Sequence, residues 1–280
     1  MASRSGAPMS ALPLTASPAD VALRPPATLR RMRFAMGTSL VIEASAGTPA
    51  TAQAGLVAAF AAVDELAQRL HPSAPGSELA CLNACAPGEA VVLTRATFAL
   101  LRFAQRLHRW SHGLFDPCLP ERPGRMCDLE LIDADPPRAR VHVPVALDCG
   151  GIAKGFAVDA AVAALRRLGC SGGLVNAGGD LRVFGASWQR LWLRGSDGRA
   201  RELRLRSGAV AVSEWPAHRA PSQHRGYYRR GSPRAALAAG YAAVLARRAM
   251  HADALTKCVL LAEPAAAHAL LARCGARRLA

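Results

Sequence analysis

The chain has 280 residues, of which 51% are apolar and 20% charged, with a formal net charge of +15. That is enough chain to bury a full core in one large domain or two small ones, and the composition excludes wholesale disorder. Only Lys154 and Lys257 of the 35 basic residues are lysine. The arginines are scattered, with doublets such as Arg166-Arg167 as the longest clusters, so no specific nucleic-acid partner is expected.

No apolar run reaches the roughly 18 residues that cross a bilayer, so no membrane span is expected. The N-terminal residues hold several prolines and no continuous apolar stretch of the signal-peptide kind, which predicts a cytoplasmic protein. The eight cysteines form no C-x-x-C pair, and free thiols are expected.

In chain order, residues 1–29 are rich in Pro, Ala and Ser and predict a flexible tail, followed by one domain over 30–280. Arg31 to Ala44 predicts a strand broken by Gly37. A helix is expected over 51–70, where Leu56, Phe60, Val63, Leu66 and Leu70 recur at three- and four-residue steps. Residues 77–93 suggest a loop and a short strand. Thr94 then caps a helix running to about His108. Residues 117–140 suggest irregular chain, and Val141–Leu147 alternates like a strand. It leads into Asp148-Cys149-Gly150-Gly151 and a helix whose apolar face runs from Ala153 to Leu168, with Gly169 as its stop. Further strands are expected at 174–177, at 181–185, in a meander over 188–212, and at 241–246. Residues 214–234 suggest a polar loop, and helices close the chain at 251–261 and 264–273.

Four stretches hold candidate chemistry. The strongest is the turn at 148–155, where a carboxylate, two glycines and a lysine precede a helix. Glycines allow close backbone approach and present N–H groups, the helix N-terminus attracts negative charge, and Lys154 adds a full charge. That pattern suits a diphosphate, although a tight packing turn explains the glycines equally well. It is neither a Walker P-loop nor G-x-G-x-x-G. The second stretch is Asn176-Ala177-Gly178-Gly179-Asp180, which suits either a plain turn or a close ligand approach. The third is Gly113 to Pro117, with Asp116 before a proline. The fourth is His251 to Lys257, where Asp253 and Lys257 share a helix face, as a solvated pair or as a ligand-facing one. The only two lysines of an arginine-rich chain fall in two of these stretches, and lysine's compact charge suits a phosphate.

Together and in order, FAMGTSLVIEA (34–44), SELACLN (77–83), GLFDP (113–117), LDCGGIAKGFAVDAA (147–161), LVNAGGDLRVFG (174–185) and ADALTKCVLL (252–261) resemble the ApbE family, the FAD:protein FMN transferases. The resemblance implies a mixed α/β (α+β) fold of two sheet-and-helix layers with the flavin between them. It implies FAD as substrate, Mg²⁺ as metal, and transfer of FMN to a Thr or Ser hydroxyl of an acceptor flavoprotein with release of AMP. By position it places Met36, Gly37 and Thr38 at the flavin. Asp148, Gly150, Gly151, Ile152, Ala153, Lys154 and Gly155 would face the diphosphate. Asp116 and Asn176, Gly178, Gly179 and Asp180 would support the pocket. The Ala153 carbonyl, Asp253 and Thr256 would be metal ligands. Lys154, Asp253 and Lys257 are the implied catalytic residues, with Asp253 or a water taking the hydroxyl proton.

Two departures stand out. The family's last motif is Asp-x-x-x-Thr, whereas here Lys257 holds the fifth position and Thr256 is one residue early. The family's His with Ile-Ile-Asp-Pro is replaced by the 214–234 segment, which contains His218 and His224. An FAD-binding relative without turnover is the alternative.

Overall fold

Three helices begin where a hydroxyl precedes an apolar-periodic run. Thr48 accepts from Thr51 N (3.1 Å), Ser77 from Ala80 N (3.0 Å) and Thr94 from Thr97 N (3.3 Å), each satisfying an otherwise orphaned helix amide. They start α1 (Pro49–Arg69), α2 (Glu78–Ala84) and α3 (Arg95–Trp110). The structure is a computed structural model describing residues 26–195, 197–215 and 240–279. Most of the expected tail and of the 214–234 loop, including His218 and His224, lies outside the described residues.

The main sheet has seven strands in the order β1-β2-β6-β7-β10-β11-β12. They are β1 (Ala27–Ala35), β2 (Thr38–Ala46), β6 (Gly172–Ala177), β7 (Asp180–Phe184), β10 (Gly208–Trp215), β11 (Gly240–Ala246) and β12 (Arg277–Arg278). Every neighbouring pair is antiparallel. One face is covered by α1, α4 (Ala153–Arg167) and α5 (Ala249–Leu261). Leu56, Ala59, Val63 and Leu66 of α1 are buried there with Ile42, Ala44, Ala161 and Leu165. By length and composition α1 is apolar enough to cross a membrane, but this face of it lies in the core, where burying each large side chain stabilises by about 1.5–3 kcal/mol.

A second sheet, β3 (Ala90–Val92), β5 (Arg138–Val141) and β4 (Leu129–Ile132) in the order β3-β5-β4, packs with α2 and α3. One continuous core joins both sheet-and-helix layers. A hairpin of β8 (Gln189–Arg194) and β9 (Ala200–Leu205) inserts Leu191 and Leu205 against Val183 and Val210. Its other face exposes Trp192, and just before β8 Trp188 is also exposed, with the Arg206 guanidinium 5.8 Å from its ring centre. The sequence reading did not anticipate this aromatic and basic face. Helix α6 (Pro264–Arg273) leads into β12 at the end of the described chain.

Several expectations are corrected. Strand β1 starts at Ala27, inside the supposed tail, because Thr28 and Leu29 already pair with Ser45 and Ala44. Residues 78–84 are helix rather than loop, since Ser77 supplies the cap. Within 117–140, β4 and β5 are strands. The 141–147 strand is absent beyond Val141. Pro144 lacks the N–H a ladder needs, and the segment is held instead by Asn83, which accepts from Leu147 N (2.6 Å) and donates to Leu147 O (3.0 Å). Leu147 keeps one isolated bridge to Cys118.

Candidate functional site

Two tight turns abut at one end of the main sheet. Met36 and Gly37 join β1 to β2, with φ of 50° and 73°. Gly178 and Gly179 join β6 to β7, with φ of 62° and 102°. Positive φ at both central residues is what a two-residue type I′ hairpin requires, and glycine adopts it without strain. Because β2 pairs with β6, the two tips are neighbours, and Gly178 N donates to Ser39 O at 3.2 Å. A Cβ at Gly178 would sit 2.1 Å from Thr38 Oγ1, so glycine here also serves the contact between the tips. Asn176 Oδ1 accepts from Gly179 N (2.9 Å) and fixes the second turn. The plain-turn reading of Asn176 to Asp180 is therefore correct for the backbone, and the turn delivers Asp180 to the site.

The 148–155 turn differs from the expected amide cradle. Asp148 Oδ1 accepts from Gly150 N (2.8 Å), and Cys149 O accepts from Ile152 N (2.9 Å) and Ala153 N (2.8 Å). Three amides that were to face an anion are thus engaged inside the turn. Ile152 lies wholly in the core and Ala153 nearly so. Gly155 is a packing glycine: a Cβ there would lie 2.3 Å from Ala249 O and 2.7 Å from Asp253 Cβ. Its absence brings α5 close enough for Gly155 N to donate to Asp253 Oδ2 at 2.9 Å. Ile152 and Gly155 are accordingly removed from the set of diphosphate-facing residues. Gly150 and Gly151 stay nearer the surface.

What converges beneath Gly151 is charge. Lys257 Nζ pairs with Asp253 Oδ1 and donates to Asp253 O at 3.0 Å. Its stem packs under the turn, Cγ and Cε each 3.8 Å from where a Gly151 Cβ would be. Lys154 Nζ pairs with Asp180 Oδ2 at 2.8 Å. Asp253 is fully buried, and Asp180 is 1% exposed. Burial first, and the Asp253 charge second, raise the Asp180 carboxyl from 3.8 to about 6 against the pull of Lys154 and Lys257. Phe115 borders the same glycine. Asp116 beside it accepts from Cys118 N (2.9 Å) and Met126 N (3.3 Å), with His108 Nδ1 3.6 Å away, so it braces the loop.

The sequence reading missed three residues. Asp159 on α4 accepts from Ala249 N (3.0 Å) and Met250 N (3.1 Å), capping α5, and pairs with Arg182 at 2.6 Å. The i,i+4 and cap patterns within one element give no signal for such a cap from another helix. Ser213 on β10 bonds Thr256 at 2.6 Å. No disulfide joins the eight cysteines, as expected, and burial pushes the Cys149 and Cys258 thiols up to about 12, leaving them protonated and unreactive.

The residues present do not fit a magnesium site. Magnesium demands near-octahedral oxygen ligation, but both Asp253 oxygens are engaged, one by a cation. Thr256 Oγ1 donates to Asp253 O (2.6 Å) and faces Ser213. Ala153 is the first residue of α4, so its carbonyl already accepts in the helix ladder. Among the described residues no three His, Cys, Asp or Glu side chains group as a metal site would require.

Fold and site define a two-layer α+β protein with two lysine–aspartate pairs, one buried and one reaching toward solvent, where an antiparallel sheet meets the packed helices α4 and α5. A model of the ApbE family matches residues 36–122 and 124–278. The chain belongs to that family. A match 185 positions long, covering 57% of the chain, is 30% identical to an FAD:protein FMN transferase of Rhodobacter capsulatus. The match spans only 35% of that relative's length. The fold is similar to that of Pseudomonas stutzeri flavinyl transferase ApbE in its apo form, with TM-score 0.72, 21% identity and 91% of each chain covered. The Thermotoga maritima ApbE protein gives TM-score 0.68 at 23% identity over 84% of this chain and 87% of that one. The Vibrio cholerae flavin transferase ApbE gives 0.69 at 17%, covering 90% and 92%.

Proposed function

We propose that the chain binds FAD as substrate and transfers its FMN half to a Thr or Ser hydroxyl of an acceptor flavoprotein. The observation carrying this is a pair of lysine ammoniums, Lys257 with its stem packed under the Gly151 turn and Lys154 paired with Asp180 at the foot of a hairpin tip, in a chain of the ApbE family. The hydroxyl oxygen forms a bond to the FMN phosphorus, the bond to the bridging oxygen breaks, and AMP leaves with that electron pair. Lys154 and Lys257 offset the charge that gathers on the departing phosphate. Lys154 is the more accessible of the two, and moving from Asp180 to a phosphate oxygen exchanges one charged acceptor for another. Asp253 does not suit the base role implied for it, because it is fully buried with both oxygens hydrogen-bonded. The hydroxyl proton passes instead to water or to the leaving phosphate.

The magnesium dependence that the family resemblance implies finds no donor set among the described residues, and no step runs through a metal. The same fact favours a second reading, FAD binding without turnover. Incubating the protein with FAD and candidate acceptor domains separates the two. A fluorescent covalent adduct with stoichiometric AMP supports transfer. Bound flavin with neither product, across several acceptors, supports binding alone.

A further inference from the structure

We infer that this charge centre takes its phosphate ligand without a divalent cation, because the Lys257 ammonium, locked to Asp253, already supplies the positive charge there. The inference rests on the FAD reading above and concerns how that same site is charged.

The geometry makes Lys257 a fixture. A surface lysine swings freely, but this one is 6% exposed, its stem is packed under Gly151, and its Nζ holds both the side chain and the backbone carbonyl of Asp253. A metal seeking Asp253 would have to displace the ammonium or sit beside it. Placing a doubly charged ion within about 4 Å of a fixed cation is strongly repulsive even at an effective dielectric near 20. Displacement would leave the ammonium buried without its counter-charge. One buried side-chain oxygen, Asp180 Oδ1, has no hydrogen-bond partner among the described residues, yet its carboxylate is already paired with Lys154. A lone oxygen beside a cation is not the six-oxygen shell that magnesium requires. The amides of the 148–155 turn do not compensate, since three of them are engaged internally. Positive charge for a phosphate therefore comes from the two lysines.

The test uses the full chain. MgCl₂ alone is titrated calorimetrically into the protein and into Lys257→Thr, and FAD is then titrated into both, in EDTA and in MgCl₂. Folding of the variant is checked by circular dichroism. The expected results are no saturable magnesium heat in the unaltered protein and an FAD Kd that changes less than twofold between buffers. Lys257→Thr should bind FAD about tenfold more weakly in EDTA and recover in MgCl₂. Lys257→Arg, which keeps the charge, should stay magnesium-independent. A saturable magnesium isotherm in the unaltered protein, or FAD affinity that rises tenfold on adding MgCl₂, overturns the inference. Absence of FAD binding in both buffers overturns the substrate reading instead, and the titration with MgCl₂ alone then decides the metal question. The measurements on the unaltered protein hold even where a variant fails to fold.

Discussion

The two lysine–aspartate pairs look alike on paper and behave differently in the fold. Lys257 and Asp253 lie on one helix, with side chains 7% and 0% exposed, whereas Lys154 on α4 reaches Asp180 on β7 with its own side chain 28% exposed. The inner pair is part of the core and cannot be separated cheaply. The outer pair has one partner near solvent, so its cation can trade acceptors. The inner pair thus fixes a charge in place, whereas the outer pair holds the cation that can move onto a ligand.

Breaking the inner pair should have the largest effect. Lys257→Met strands a fully buried carboxylate and should cost about 3–5 kcal/mol in denaturant unfolding. Gly155→Ala comes next. Its methyl would meet the Ala249 carbonyl and Asp253 Cβ, and overpacking of that kind costs about 1–3 kcal/mol, read as a lower Tm together with weaker FAD binding. Lys154→Met should cost less than the inner-pair variant, about 1–3 kcal/mol, because the raised Asp180 carboxyl can take up a proton, while weakening FAD binding about tenfold. Equal destabilisation by the two lysine variants would erase the distinction between the pairs.

The smallest effect is a pH dependence at the outer pair. The Asp180 carboxyl is raised from 3.8 to about 6, so the folded protein keeps a proton that the unfolded chain has already lost. That contribution is full below about pH 4 and fades as pH climbs through 6. The Tm of the protein minus that of Asp180→Asn should therefore fall between about pH 4 and pH 6 and level off above that. A flat difference would mean that the carboxyl titrates normally.

Much of this was legible in the sequence where local rules govern. Thr94 as a cap, the apolar face of α4 with Gly169 beyond its end, and the meander over 188–212 all follow from periodicity and turn chemistry within one element. The family motifs placed Lys154, Asp180 and Asp253 together. What local rules could not reach were contacts between elements. Alternation in Val141–Leu147 suggested a strand, because nothing local shows that Asn83, some sixty residues earlier, holds that segment. Gly155 looked like part of a ligand turn, because only the approach of α5 shows why a side chain is excluded. Thr256 looked like a ligand until β10 placed Ser213 against it.

Helices α4 and α5 exchange carboxylates: Asp159 of α4 receives the first amides of α5, and Asp253 of α5 receives the Gly155 amide of α4. A latch fastened from both sides does not open by sliding either part. Movement on ligand binding is therefore expected in the glycine turns and at the Lys154 ammonium rather than in the two helices.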